Sequence, residues 1–452
     1  MKARRQPHVR GAATLVLALA YAVFASGCAT YSDRMSEAHR RVATADYAGA
    51  IEAVNELMDV GDAQTLPDKF DSDEALGALE RATLKQALGE YDSSARDFQA
   101  ADKELEVLDL SADAVGTLGK YIYSDSSTKY HASPTEKLAV NSFNMMNYLA
   151  QGDLRGARVE ARRFTVMRKF LEDLDPGLAS GAAGAYLAGF TMEKLGEITP
   201  AMRYYDEALQ LGTLDSLAAP VHRLAGRSPY RGERLEPFLA ATSPGPQPRD
   251  DQGEVLILVN VGRVPFKIPK RMPVGAAVGV AGSWISGNPD VLGYSVFKVV
   301  VYPDLMNVES TLGTPQVNID GKPVALEEVS DLAAEIRSEY EAIKPQIIGA
   351  ALSRMIVRAA AAEAARAGGN QQSAGLGWAV ALLVEGAMVA MDEPDTRSWN
   401  FLPARVLAYR GILEAGTHEI GVSLTAGPEP VSTHEVTVEP GGFGVVVVTA
   451  PR

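Results

Sequence analysis

Residues able to do chemistry are sparse in this 452-residue chain. Serine hydrolysis needs a nucleophile, a base and an oxyanion hole, and no G-x-S-x-G element is present. His418-Glu419 and His434-Glu435 fall on separate predicted strands. Two imidazoles could meet across a hairpin and hold a metal, but no H-E-x-x-H spacing supports it, and no metal is expected. Gly275, Gly279 and Gly282 miss the G-x-G-x-x-G spacing of a phosphate loop and no Lys-Ser/Thr follows them, so a flexible loop is expected. Arg263, Lys267, Lys270 and Arg271 form a basic loop held extended by Pro265, Pro269 and Pro273. Such a loop could dock an anionic ligand, or simply guard a sheet edge against pairing. Asp395, Arg397 and Trp399 alternate, which places them on one side of an extended segment as a structural brace. Together these residues predict neither an enzyme nor a cofactor.

The charge balance narrows the partners. The chain carries 43 Lys and Arg against 57 Asp and Glu, a formal charge of −14. Residues 1–27 hold four of the basic residues and no acidic ones, so from Cys28 onward the charge is −18. Phosphate backbones repel such a chain, and nucleic acid is not an expected partner. Cys28 is the single cysteine, which removes disulfides and cysteine-ligated zinc together. It follows Lys2, Arg4, Arg5 and Arg10, then the apolar run Ala12 to Phe24, then Ala25-Ser26-Gly27. That order resembles a bacterial lipoprotein signal, with Ala25 where Leu is usual. The resemblance implies cleavage after Gly27, acylation of Cys28 by diacylglycerol and a fatty acid such as palmitate, and a lasting membrane anchor. Ala29 is not the Asp that retains such proteins at the inner membrane, so the periplasmic face of the outer membrane is expected.

The first half repeats itself. After Gly196-Glu197 come Ala201, Tyr205 and Ala208 at offsets of five, nine and twelve from the glycine. Gly89-Glu90-Tyr91 leads to Ser94, Phe98 and Ala101 at those offsets, and Gly152-Asp153 to Ala157, Ala161 and Phe164. Ala45-Asp46-Tyr47 leads to Ala50, Val54 and Leu57. Glycine ends one helix, the acidic residue caps the next, and small residues let the helices approach. The pattern resembles degenerate tetratricopeptide repeats with insertions, and implies a helical solenoid over residues 31–242 after a lipidated N-terminus at 28–30. In that family the inner face binds a segment of a partner protein; the alternative is that the protein's own C-terminal half fills it. Arg155, Arg158, Arg162, Arg163 and Arg168 could mark an acidic partner, but at helical spacing they read mostly as a solvated helix face paired with Glu160 and Glu172.

A Pro-rich linker at 243–253 introduces β-prone runs at 254–325 and 393–452, whose spacing predicts an antiparallel β-sandwich-like domain. Between them, 326–392 reads as a helical hairpin insert. Its first helix is amphipathic, with Ile347, Ile348, Leu352, Met355 and Ala359 on one face and a bend at Pro345. Its second, 374–391, carries one charge, Glu385, and is long enough to raise the question of membrane insertion. The stretch Glu254 to Lys267, with Asp395-Thr396-Arg397-Ser398-Trp399 and Leu402-Pro403, resembles an uncharacterised family of bacterial outer-membrane lipoproteins with N-terminal tetratricopeptide-like repeats. The fold expected is multidomain α+β. The function expected is that of a tethered adaptor or scaffold for periplasmic or envelope proteins; the alternative is an export or pore assembly using helix 374–391.

Overall fold

A computed structural model describes residues 30–70, 73–105, 130–174, 180–293, 299–310, 312–368, 394–424 and 432–452. Gly27, Cys28 and helix 374–391 lie outside the described residues. The chain is mixed α and β and divides into two compact units: residues 1–34, 267–304 and 341–396 form the smaller, and the remainder the larger.

The larger unit begins with four helix pairs: α2 (Ser36–Ala43) with α3 (Tyr47–Leu57), α4 (Glu74–Ala87) with α5 (Tyr91–Glu104), α6 (Pro134–Ala150) with α7 (Leu154–Leu174), and α8 (Ala182–Lys194) with α9 (Ile198–Leu211). A four-residue helix, α1 (Tyr31–Arg34), which belongs to the smaller unit, precedes them in the chain, and α10 (Ala218–Ala225) and α11 (Leu235–Ala241) follow. All four turns are built alike. Gly89, Gly152 and Gly196 have φ of 76°, 71° and 76°, and Ala45 takes the same place at 59°. In each turn the left-handed residue donates its N–H three residues back and the next residue donates five back, as Glu90 does to Lys85 and Glu197 to Met192. These bonds close the first helix as a Schellman cap, and the acidic residue that makes the second bond stands at the N-cap of the helix that follows; Asp46 and Asp153 cap it with their side chains, whereas Glu90 and Glu197 make no side-chain cap. The Asp46 side chain accepts from the Gly49 N–H at 2.9 Å. The residues at the fifth and ninth offsets, Ala50, Ser94, Ala157 and Ala201 with Val54, Phe98, Ala161 and Tyr205, are fully buried. At the twelfth, Ala101, Phe164 and Ala208 are too.

Ala45 is an alanine where its three counterparts are glycine. A Cβ in the left-handed region crowds the following carbonyl, so Ala45→Gly is expected to stabilise the larger unit by about 0.5–1 kcal/mol. A denaturant midpoint unchanged or lowered in that variant would contradict this.

The strands form two sheets in the larger unit. In the first, β10 (Phe443–Ala450), β1 (Gln252–Val261), β7 (Arg405–Glu414) and β6 (Glu327–Asp331) lie in that order. In the second the order is β5 (Lys322–Val324), β4 (Gln316–Ile319), β8 (Gly416–Ser423) and β9 (Ser432–Val438). Val255, Ile257, Val259 and Val261 of β1 share a core with Val317, Ile319, Ile420, Val422 and Val436 of the second sheet. The opposite face of the first sheet meets the helices: α4 and α6 pack on β10, and α8 on β6. Burial on both sides explains why α4 and α6 expose almost nothing. The expectation of an all-antiparallel domain is corrected here, because β1 pairs with β10 in parallel, Glu254 beside Phe443 through Val261 beside Ala450. A parallel neighbour is buried on both faces, which suits the unbroken apolar runs of both strands. The helical insert also starts later than expected, at Leu332, because Glu327–Asp331 is strand β6.

In the smaller unit, β2 (Phe266–Pro273) pairs with β3 (Val299–Met306), and α12 (Val274–Ala281) follows β2 directly. Two expectations are corrected. The basic stretch is a strand rather than a loop, because prolines fit a two-stranded edge. The glycine-bearing segment is a helix, entered through Pro273. Helix α13 (Leu332–Gly368) supplies its second half to this unit, and its expected apolar face is buried at Ile347, Ile348, Leu352, Met355 and Ala359. Among the described residues no helix is long and apolar enough to cross a membrane.

Candidate functional site

The inner face of the helix pairs is occupied by the protein's own chain. Residues 397–402 run against α4 and α6 as a strap. The Trp399 indole is fully buried, donates to Thr83 Oγ1 at 3.0 Å, and meets Phe98 and Phe143 edge-on at 5.7 and 6.1 Å. Two helix carboxylates hold the strap's backbone. Glu136 accepts from the Trp399 N–H at 2.7 Å, and Glu80 from the N–H groups of Asn400 and Phe401 at 2.6 and 2.8 Å. Burial pushes Glu80 up to about 8 while these donors pull the other way. Arg397 pairs with Asp73, which gives it the bracing role expected, with an aspartate on the helical side. Thr449 of β10 donates to Gln86, whose amide donates in turn to Asn147 at 2.8 Å, so a polar chain ties sheet to helices.

A second tie is ionic. Arg410 of β7 is 1% exposed and lies between Glu193 of α8 and Glu254 of β1. Its Nη2 reaches both Glu193 oxygens at 2.9 Å, its Nε reaches Glu254 at 2.8 Å, and its Nη1 donates to Tyr205 Oη at 2.9 Å. Lys194 and Arg223 complete the set by contacting both carboxylates. Burial alone would raise both acids, but Arg410, with Lys194, outweighs it and holds each well below the usual carboxylate range. A further buried group, Arg81 and Lys85 of α4 on Asp97 of α5, locks one helix pair internally. These clusters are saturated with partners, so they brace the fold and leave no group for chemistry.

What stays open is a cleft beside β10. A cavity of about 680 Å³ lies between the turns at 44–47 and 86–91 and strands β8, β9 and β10, with Tyr47, Leu88, Tyr91, His434, Val447 and Arg452 in its lining. That volume falls in the range of ligand pockets. Among the described residues its lining contains no Asp or Glu, although the larger unit carries the whole of the −18. One wall is the free edge of β10. Glu254 donates to Gly442 O and Gly262 to Ala450 O, so even-numbered carbonyls of β10 face β1. Alternation along the strand turns the N–H and C=O of Val445, Val447 and Thr449 the other way, towards the side where no strand pairs with β10 among the described residues. Tyr91 confirms the direction, donating its hydroxyl to Val447 O at 2.7 Å. Burial pushes the Tyr91 hydroxyl up and the His434 imidazole down, so both stay neutral near pH 7.

The residues singled out in the sequence are thus scattered. Gly89, Tyr91, Phe98, Ala101, Gly152, Ala157, Gly196, Ala201, Tyr205 and Ala208 all serve the helix pairs, and Gly89 and Tyr91 also reach the cleft. Arg263 belongs to the larger unit and Lys267, Lys270 and Arg271 to the smaller, where Lys270 pairs with Asp304. His418 pairs with Asp320 at 2.7 Å, and no group of three or more His, Cys, Asp or Glu that could hold a metal occurs among the described residues. No motif or spacing in the sequence brings Glu193, Glu254 and Arg410 together, although a charge among the apolar residues of a strand, as at Arg410, signals a buried partner.

The chain matches no protein-family profile, no curated protein and no solved structure.

Proposed function

We propose that the protein is a non-enzymatic cell-envelope lipoprotein, anchored through Cys28 at the periplasmic face of the outer membrane, that binds an extended segment of a partner protein in the β10 cleft. The helix pairs are read as degenerate tetratricopeptide-like repeats and the two sheets as a sandwich, as the repeated left-handed turns and the shared apolar core support. In this reading the repeats do not bind the partner along their inner face, which the strap and the first sheet already fill. They instead frame one side of the cleft. The carrying observation is the free β10 edge opening into a cavity whose lining has no acidic side chain. Strand addition takes its affinity from backbone hydrogen bonds and its selectivity from pockets for alternate side chains. The N–H groups of Val445, Val447 and Thr449 and the carbonyls of Val445 and Thr449 offer the backbone groups, the Val447 carbonyl being held by Tyr91, and the lining favours uncharged or acidic peptides.

Selection of random peptides on the chain from residue 30 tests this. Peptides with β-prone sequences are expected to be enriched. Val447→Pro removes one outward donor without touching the β1 ladder, and Leu88→Trp fills the cavity; each is expected to weaken binding at least tenfold with the melting transition retained. No enrichment, or binding indifferent to both changes, would overturn the proposal.

A further inference from the structure

The smaller unit differs from the larger in three ways that bear on how the protein meets a membrane. The first is charge. From residue 28 onward the smaller unit carries nine basic and nine acidic residues, so its formal charge is zero and the larger unit carries all of the −18. The second is surface. All eight residues of α12, Val-Gly-Ala-Ala-Val-Gly-Val-Ala, are apolar or glycine, yet only Ala277 and Ala281 are buried. Val280 is 42% exposed and Trp284, just beyond the helix, 49%. Trp284 lies along α13, its backbone against Gly349, and Ser286 donates to Ser353 Oγ at 2.8 Å. Further along the same helix Val357 is 69% exposed. Helices of soluble surfaces present charge on the open side, and α12 presents none.

The third is the tether. Tyr31 is buried, and the Ser32 N–H donates to Thr396 Oγ1 at 3.3 Å, so the chain is held to the smaller unit from its first described residues. Cys28 is two residues ahead of Thr30, a reach of at most about 7 Å. Acyl chains placed on Cys28 therefore cannot enter a bilayer unless the smaller unit lies against its surface.

We propose that the smaller unit docks on the bilayer through α12 and Trp284, with Val280 and the indole in the head-group region. The inference rests on the anchoring of Cys28. A Trp at the end of an apolar segment suits that interface, with the ring among acyl chains and the N–H among head groups. Because α12 itself carries no charge, its contact with the bilayer is apolar and does not require anionic lipid, while the exposed Lys270 and Arg271 just ahead of it can add attraction where such lipid is present.

The test uses the lipidated chain, with Trp378→Phe leaving Trp284 and the buried Trp399 as reporters, in phosphatidylcholine vesicles whose acyl chains carry bromine. Trp284 emission is expected to shift blue and to be quenched by at least half even in vesicles without anionic lipid. Val280→Glu should abolish most of the quenching while the protein still floats with the vesicles. Flotation with an unquenched Trp284 would overturn docking and leave the anchor standing. Failure to float would overturn the anchor itself. Protection of Trp284 only at high protein density would assign the apolar surface to a second copy of this chain and overturn docking on lipid.

Discussion

Replacing Arg410 by methionine is expected to destabilise the larger unit by about 3 kcal/mol or more, the cost of leaving buried carboxylates without their main partner. Arg410 alone touches Glu193, Glu254 and Tyr205, and its guanidinium lies over the Phe190 ring at 4.9 Å. Lys194 and Arg223 reach the same acids from more exposed positions and cannot replace its simultaneous hold on both acids and Tyr205. The sign of the pH effect follows. Both carboxylates are held below their ordinary range, so their contribution is present above pH 4.5 and lost as pH falls through the lowered values. In the variant burial is no longer outweighed, so the loss of stability on acidification from these two groups should shrink or reverse, and Glu193→Gln combined with Arg410→Met should recover part of the stability near neutral pH. Urea midpoints across pH 4 to 8 check this; an Arg410→Met chain as stable as the parent would sink it.

Trp399→Ala is expected to cost about 3–5 kcal/mol, as deletion of a large buried aromatic does. The indole fills the space between Phe98 and Phe143, and its N–H satisfies Thr83. Trp399→Phe should keep most of the packing and lose the hydrogen bond, costing markedly less, which separates the two contributions. If the strap were only laid on the surface of the helices, both changes would fall within about 0.5 kcal/mol of the parent. Differential scanning calorimetry of the three chains distinguishes these outcomes.

Local order was legible and long-range pairing was not. The four turns could be read because each needs a left-handed residue and an acidic cap at fixed spacing, and Gly89, Gly152 and Gly196 announce it. The last four strands could be read, within two residues at each end, at 405–413, 418–424, 434–438 and 443–449 from their β-branched residues between glycine and proline turns. Nothing local, however, tells Phe443–Ala450 to lie parallel to a strand almost two hundred residues earlier, so the edge that frames the cleft was hidden. The same holds for Glu80, which reads as one more charge on a helix until the strap's N–H groups are seen around it. The segment 274–281 misled because glycine suggested a loop, whereas burial of Ala277 and Ala281 and entry through Pro273 sustain a helix. Lys267, Lys270 and Arg271 misled for the opposite reason: proline-rich basic sequence is compatible with a loop and with an edge strand, and only the partner strand decides.

Photocrosslinking in cells, with a benzophenone amino acid at Leu88 in the cleft and at Val166 on the exposed side of α7, measures where a partner sits. Leu88 is 43% and Val166 72% exposed, so both are open to solvent. Strand addition at β10 predicts a discrete adduct from Leu88, lost when Val447→Pro is introduced, and none from Val166. An adduct from Val166 alone, or one from Leu88 that survives Val447→Pro, would contradict it.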